Sequence, residues 1–240
     1  GKSNIINIVS ETHKIPVFIK IFFNLLAFSF SSSKDTKSKE NLSASIQEMG
    51  TTFIKLGQFL ATRPDIIGEK LSKELVSLQD KLPPFSKKEA EKIIIENLGQ
   101  SNFDDIIDLS DPIAAASIAQ VHKAKIKEDN TIKNVAIKVL RPNIKKIFNE
   151  EIDAIMLLAY IVESLITKTK RLKLIEVVFL FKEITNHEMD LRFEAAAANE
   201  YAENTKNDLG FFVPKIYWNF TSESVLTLDW VDGVSIREKD

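Results

Sequence analysis

The first pattern along the chain is helical, with apolar residues recurring at three- and four-residue steps between residues 42 and 82. Phe53, Leu56 and Leu60 show this spacing, which brings apolar side chains to one face of an amphipathic helix. The pair Pro83–Pro84 ends the pattern, because proline lacks an N–H donor and restricts the residue before it. The stretch therefore predicts a group of helices that closes at the prolines.

A shorter helix is predicted directly after the prolines. Ser86 stands three residues before Glu89, which is the spacing of a capping box, where each side chain accepts a hydrogen bond from the other residue's backbone. The helix is expected to run to about Leu98 and to end near Gly99, since glycine is common just past a helix C-terminus.

Two regions carry the shorter period of β-strands. Residues 119–126 (AQVHKAKI) and 134–140 (NVAIKVL) predict a hairpin with a polar turn at residues 127–133. Residues 213–220 (VPKIYWNF) and 224–231 (SVLTLDWV) predict two more strands. Together these segments indicate a small antiparallel sheet.

Helical spacing returns between residues 143 and 202, where Ile152, Ile155 and Ala159 belong to a broad apolar stripe. Only the basic stretch 168–173 interrupts it. The region predicts two or three helices.

The N-terminal region holds the most apolar run, residues 15–30 (IPVFIKIFFNLLAFSF). Lys20 and Asn24 interrupt it, and it is shorter than the roughly 20 residues of a spanning helix. Its helical spacing favours an interfacial helix at a membrane surface, or else a helix that docks on its own domain. The Ser- and Lys-containing residues 30–41 predict a linker.

Composition narrows the possible functions. The chain has 240 residues, of which 44% are hydrophobic, so it can bury a substantial core. Its formal net charge of −2 gives no overall field for nucleic acid, and no nucleic-acid partner is predicted. Cysteine is absent, which excludes disulfides and thiolate metal sites and is compatible with a reducing cytoplasm. The three histidines are scattered, so no metal site is predicted.

Four separate motifs give the chain a family resemblance. They are residues 53–64 (FIKLGQFLATRP), 112–124 (PIAAASIAQVHKA), 135–138 (VAIK) and 188–194 (EMDLRFE). In this order they resemble the UbiB/AarF family of atypical kinase-like proteins of ubiquinone biosynthesis. The resemblance covers about residues 42–235. It is specific because all four motifs occur in the family's order, whereas each motif alone would be weak.

The resemblance implies an α+β fold in which a helical K-x-G-Q extension precedes a protein-kinase-like N-lobe, a small antiparallel sheet of about five strands with helices. Residues 1–41 are then the apolar helix and linker, and residues 42–110 the extension. The N-lobe covers residues 111–240, with a helical insert at about 143–185. The C-lobe of a kinase is expected to be absent from this chain.

Lys138, in V-A-I-K, corresponds by this resemblance to the lysine that contacts the nucleotide's α- and β-phosphates. Glu194 corresponds to the carboxylate that orients it. Taken alone, the tetrapeptide is more often an ordinary strand with an exposed lysine, and the carboxylate an ordinary helix charge. The accompanying motifs favour the nucleotide role.

The E-x-D residues Glu188 and Asp190 form the second part of the predicted site. On a continuous helix, Asp190 would lie near the face of Glu194, with Glu188 turned away by roughly 120°. Glu188 is therefore expected to meet Lys55 of the K-x-G-Q helix, which shares a helical face with Gln58. The resemblance implies that this helix covers the active site as a regulatory element. Gly57 would permit close backbone approach there.

Two further segments are predicted to contact the nucleotide. Ala114, Ala115, Ala116 and Ser117 form a turn where a typical kinase has its glycine-rich phosphate cover, and alanine hinders close backbone approach. The same residues could instead begin a helix. Asp229, Trp230 and Val231 resemble the segment between kinase lobes, whose backbone meets the adenine edge. Trp230 is expected to pack within the protein, as most tryptophans do, and not to stack on adenine.

No catalytic residue is assigned within the chain. Neither an H-x-D catalytic loop nor a D-F-G-like metal motif follows the segment 228–231, and both are expected after Asp240. The chain is therefore interpreted as the N-terminal fragment of an atypical kinase or ATPase whose intact form binds ATP or ADP with Mg²⁺. The fragment itself is expected to bind adenine nucleotide weakly and to be inactive alone.

The expected partners are adenine nucleotide, a membrane surface, and a prenylphenol lipid or other ubiquinone-biosynthesis proteins. The expected location is the cytoplasm, peripheral to a bacterial inner membrane. The alternatives are a non-catalytic helical interaction module and a pseudokinase-like remnant. An older inference, hydroxylation of a polyprenylphenol, is rejected as chemistry because no flavin, haem or metal constellation is present.

Overall fold

The computed structural model describes residues 46–47, 49–76, 78 and 82–234 of the 240-residue chain. The predicted helix at residues 15–30 and the linker at residues 30–41 lie outside the described residues. The chain forms two compact units, residues 1–79 with 150–181, and residues 80–149 with 182–240. The predicted division after residues 41 and 110 follows the motifs and stays a prediction.

The first unit is helical. It contains α1 (Thr51–Ala61), α2 (Pro64–Ile67) and α3 (Glu69–Leu75), in agreement with the helical spacing of this stretch. Its core includes Ile54 and Leu75, which are 0% and 1% exposed. Gly57 lies inside α1 where a Cβ would meet the Leu78 side chain, so glycine lets this neighbour pack against the helix.

The second unit is built on a five-stranded antiparallel sheet. Its strands are β1 (Ile106–Ile107), β2 (Pro112–Ala115), β3 (Ala119–Glu128), β4 (Thr131–Leu140) and β5 (Val225–Asp229). The order is β1-β3-β4-β5, and β2 also pairs with β3. This arrangement with its helices confirms the predicted α+β, kinase-N-lobe-like fold.

The β3–β4 hairpin is longer than predicted. Its ladder runs without a break from Ala119 opposite Leu140 to Glu128 opposite Thr131. The predicted turn at residues 127–133 was therefore too long. Asp129 and Asn130 form the turn alone, with φ angles of 48° and 57°, and these residue types tolerate the left-handed region that a two-residue hairpin requires.

The predicted strand at residues 213–220 was wrong. Only Ile216 forms an isolated bridge, to Leu228, and residues Trp218–Phe220 are a 3₁₀ helix. Tyr217 and Phe220 are 2% and 3% exposed, so the three-residue spacing of these buried aromatics fits a helical turn better than a strand.

Helices α4 (Lys87–Leu98) and α5 (Gln100–Asp104) precede the sheet. The predicted capping box of α4 is confirmed, because Ser86 Oγ accepts from Glu89 N at 3.3 Å and Glu89 Oε2 accepts from Ser86 N at 3.2 Å. Gly99 ends the helix with φ 83°. Ile94 of α4 is fully buried in the hydrophobic core on one face of the sheet.

Three longer helices follow β4, as the apolar stripe predicted. They are α6 (Ile144–Leu165), α7 (Leu174–Glu188) and α8 (Leu191–Thr205). The basic stretch between α6 and α7 is a 3₁₀ helix at Thr167–Leu172. The two units divide within α6 and α7, whereas α8 belongs wholly to the second unit.

Candidate functional site

The centre of the candidate site is an ion pair between β4 and α8. Lys138 Nζ lies 2.7 Å from Glu194 Oε2. Strand alternation turns Lys138 away from its neighbours Ile137 and Val139, which are both 0% exposed in the core. The Lys138 and Glu194 side chains are 27% and 50% exposed, so the pair is open to solvent.

Glu194 lies in the first turn of α8, which is held in place by buried residues of the same helix. Leu191 and Ala195 are both 0% exposed and anchor this end of the helix. Glu194 lies in the first turn, where an acidic side chain interacts favourably with the helix dipole. The predicted proximity of Lys138 and Glu194 is therefore confirmed, whereas their role toward nucleotide stays a prediction.

The predicted helical phase of the E-x-D motif was wrong. α7 ends at Glu188, and Asp190 is the N-cap of α8, so no continuous helix joins Asp190 to Glu194. Asp190 accepts from Arg192 N at 3.1 Å and from Arg192 Nη2 at 2.6 Å. The hydrogen bond from the Arg192 side chain is the main cause that lowers the pKa of Asp190.

The K-x-G-Q residues lie on α1, in the other unit. Lys55, Gly57 and Gln58 all fall within this helix, and Gly57 is buried. The pairing of Lys55 with Glu188 would join the two units and stays a prediction.

Half of the alanine-rich segment predicted as a turn is strand. Ala114 and Ala115 belong to β2 and oppose Val121 and Gln120 of β3. The chain reverses over residues 116–118, where Ala116 N donates to Ala119 O at 2.8 Å. Ser117 is fully buried. The turn nevertheless lies between the end of β2 and the start of β3, and β3 pairs with the strand that carries Lys138.

The three residues at the end of β5 and directly after it, Asp229, Trp230 and Val231, differ in their contacts. Asp229 Oδ1 accepts from Tyr217 Oη at 2.6 Å, so this carboxylate points toward Tyr217. Burial is the main cause that raises the Tyr217 pKa, and Asp229 adds to it. Trp230 N donates to Asn134 O at 3.0 Å. Val231 is 47% exposed.

The Trp230 side chain contacts two charged side chains. Lys123 Nζ lies 4.3 Å from the ring centroid, within the range of a cation–π contact. The indole Nε1 donates to Asp232 Oδ1 at 2.7 Å. These contacts agree with packing as the use of Trp230.

A buried polar network on β3 was not predicted from the sequence. Gln120 and His122 are 1% and 0% exposed on β3, and His122 Nδ1 lies 2.8 Å from Ser110 O. A carbonyl can only accept, so Nδ1 carries the proton and Nε2 accepts from Gln120 Nε2 at 2.9 Å. Burial is the main cause that lowers the His122 pKa. The signal was present, since both residues share the phase of core residues Ala124 and Ile126.

Comparison with known proteins places the chain in a family. The ABC1 atypical kinase-like domain matches residues 77–240. The chain therefore belongs to the family of ABC1 atypical kinase-like proteins, and the resemblance to UbiB and its relatives is confirmed.

Three relatives show how far the similarity extends. A probable protein kinase UbiB of Marinobacter nauticus is 33% identical over 226 residues, which are 94% of this chain and 41% of that protein. Proteins of the same name from Azotobacter vinelandii and Cellvibrio japonicus are 35% and 34% identical over 82% and 89% of this chain. The matches cover 36% and 38% of those two proteins, so the chain spans about two fifths of the length of these relatives.

Proposed function

We propose that this chain is the nucleotide-binding N-terminal part of an atypical kinase of the UbiB type, which binds ATP and supports ubiquinone biosynthesis. The observation that carries the proposal is the 2.7 Å ion pair between Lys138 and Glu194. A solvent-exposed ion pair stabilises a protein by only about 0 to 1 kcal/mol, so folding alone gives little reason for it. A lysine oriented by a carboxylate suits contact with a nucleotide's phosphates.

The surroundings of Lys138 support a nucleotide as the ligand. Val121 and Leu226 are its direct cross-strand neighbours, and Ala136 lies opposite Leu228 on the same face of the sheet. A cation beside apolar side chains matches a molecule that has both an anionic and a flat apolar end.

We further propose that these 240 residues bind adenine nucleotide but do not hydrolyse it. ATP or ADP with Mg²⁺ is the cofactor that the family relationship suggests, and Lys138 fits the phosphate end of it. Within the described part of the chain, no group of three or more His, Cys, Asp or Glu residues could hold a metal ion. We therefore assign no residue of this chain to Mg²⁺ and expect weak nucleotide affinity.

Titration calorimetry of the 240-residue chain with ATP and ADP tests the proposal. Lys138→Met is expected to weaken binding by at least about tenfold, since a charged contact to phosphate contributes about 1.5 to 3 kcal/mol. Lys125→Met is the matched control, because Lys125 lies on β3 of the same sheet and forms a 2.7 Å pair with Asp108. Its affinity should stay within about twofold of the unchanged chain.

Other outcomes separate the alternatives. Absence of nucleotide binding, or equal binding by Lys138→Met, would favour a non-catalytic helical interaction module or a pseudokinase-like remnant. Mg²⁺-dependent ATP hydrolysis that Lys138→Ala abolishes would show that these residues suffice for turnover, against the proposal.

We also propose peripheral association with the cytoplasmic face of a bacterial inner membrane. The exposed side of α6 is apolar at Leu157, Tyr160 and Leu165, which are 60%, 62% and 78% exposed. Exposed Lys170 and Arg171 follow in the 3₁₀ helix Thr167–Leu172. Apolar and basic residues side by side are typical of helices that lie on anionic membranes. Of the helices described, none is long and apolar enough to cross a membrane.

Vesicle sedimentation tests the membrane proposal. The chain should sediment with vesicles that contain an anionic phospholipid and less with purely zwitterionic ones. Leu165→Glu should reduce this binding, whereas Leu209→Glu, at a fully exposed position of the other unit, should not. Equal sedimentation of both variants would contradict the assignment of this surface. The remaining proposed partners are a prenylphenol lipid and other proteins of ubiquinone biosynthesis.

A further inference from the structure

The alanine-rich turn is held by one arginine that lies outside it. Arg141 Nε and Nη2 donate to Ala116 O at 3.1 and 2.8 Å. The backbone N of Arg141 donates to Ile118 O at 2.8 Å. The carbonyls on both sides of Ser117 are therefore bound to Arg141, which follows directly after β4.

The same guanidinium also reaches the segment that precedes α4. Arg141 Nη1 donates to Pro83 O at 3.0 Å. The planar guanidinium carries its donors in a fixed fork, so one side chain can bind two chain segments at a set separation. A lysine at this position would supply a single nitrogen and no fork.

A second side chain joins the same two segments. Phe85 N donates to Gln120 Oε1 at 3.0 Å, and Gln120 Nε2 donates to Phe85 O at 3.2 Å. Gln120 stands opposite Ala115 in the β2–β3 ladder and is 1% exposed. Because a buried polar group that loses its partner is costly, this pairing resists displacement.

The segment 83–85 is itself stiff. Pro83 and Pro84 have fixed φ angles, and Pro84 has no N–H to offer a strand. The carbonyl of Pro83 and both backbone groups of Phe85 are nevertheless bonded, by Arg141 and Gln120 respectively. The turn is thus attached to a rigid support.

We propose that Arg141 and Gln120 are positioning residues that clamp the turn at residues 116–118 to the segment 83–85. The clamp makes this turn a fixed cover and not a mobile flap, and so sets its distance from the phosphates of a bound nucleotide. This inference rests on the proposed function for the identity of the ligand. In this inference, the segment 83–85 controls how closely the turn can approach the phosphates of a bound nucleotide.

The substitution Arg141→Lys tests the clamp in two measurements on the 240-residue chain. Affinity for ATP and ADP should fall about fivefold, the effect of one lost hydrogen bond of about 1 kcal/mol, whereas affinity for adenosine should stay within about twofold. Amide hydrogen exchange over residues 116–119, without nucleotide, should become about tenfold faster as the turn is released.

Arg63→Lys is the matched control, because Arg63 also forms a fork, to Asp65 at 2.9 and 2.7 Å, in the other unit. It should change neither measurement. Gln120→Met removes the other tie and serves if Arg141→Lys does not fold. It should also speed exchange over residues 116–119.

The outcomes are distinct. Equal losses of affinity for adenosine and ADP, or unchanged exchange in a folded variant, would overturn the clamp. If the unchanged chain binds no nucleotide, the proposed function fails, and the exchange measurement alone decides whether the turn is clamped.

Discussion

On one face of strand β4, Val135, Ile137 and Val139 are all 0% exposed and belong to the core that includes Ile94. On the other face of the same strand, Lys138 pairs with Glu194 and both side chains reach solvent. One strand thus supplies stability with its odd positions and the candidate binding group with an even one. A substitution on either face should therefore affect one property and spare the other.

The largest expected effect is on the core face. Ile137→Ala should lower the free energy of unfolding by about 2 to 5 kcal/mol, because it leaves a cavity in a tightly packed site. Denaturant unfolding followed by circular dichroism measures this. Ile132→Ala on the same strand is the control, since Ile132 is 64% exposed, and its effect should stay within about 0.5 kcal/mol. Equal effects would break the distinction between the two positions.

A smaller effect is expected at the cap of the helix that covers the core face. Ser86→Ala removes the side-chain acceptor for Glu89 N and should cost about 1 kcal/mol of stability. Ser86→Asn keeps an acceptor and should cost little. Denaturant midpoints of the two variants compare them directly, and a cost from asparagine as large as that from alanine would speak against the capping role.

On the face of β4 that carries Lys138, the effect of a substitution on stability should be smaller still. Lys138→Met should change the free energy of unfolding by less than about 1 kcal/mol, because its partner Glu194 is half exposed and can be hydrated. The same denaturant titration measures this change. A loss as large as that of Ile137→Ala would show that the two faces are not energetically separate.

The smallest predicted effect is a pH dependence at His122, which lies on the core face of β3. Burial lowers its pKa below the ordinary value of 6.5, so the unfolded chain takes up a proton before the folded chain does. Stability should therefore be lost as the pH falls below about 6.5. Thermal midpoints between about pH 7 and pH 5 measure the slope, and His122→Gln should flatten it. An unchanged slope would assign the dependence to other groups.

The parts of the fold that depend on local patterns were predictable from sequence. The Ser86–Glu89 box, the β3–β4 hairpin and the helices after β4 each follow from residues close together in the chain. The sequence alternation around Lys138 indicated its face, and the resemblance supplied Glu194 as its partner. That contact spans 56 residues, and no period within the chain could indicate it.

What the sequence did not predict has two physical causes, one local and one long-range. Helical phasing from Glu188 to Glu194 assumed an unbroken helix, but the Asp190 side chain binds Arg192 N as a cap and begins a new one. The contacts of Arg141 and Gln120 with residues 83–85 were missed because their partners there are backbone groups of a distant segment. Nearly all residue types carry the same backbone carbonyl and N–H groups, so the sequence does not indicate which of these groups a side chain binds.

The break between α7 and α8 has a consequence for how insertions and deletions would act on the ion pair. In a continuous helix, one inserted residue would rotate every later side chain by about 100°. Because α8 begins anew at Asp190, a residue gained or lost in α7 does not turn Glu194 away from Lys138. A change in the length of the preceding helix therefore need not break the ion pair.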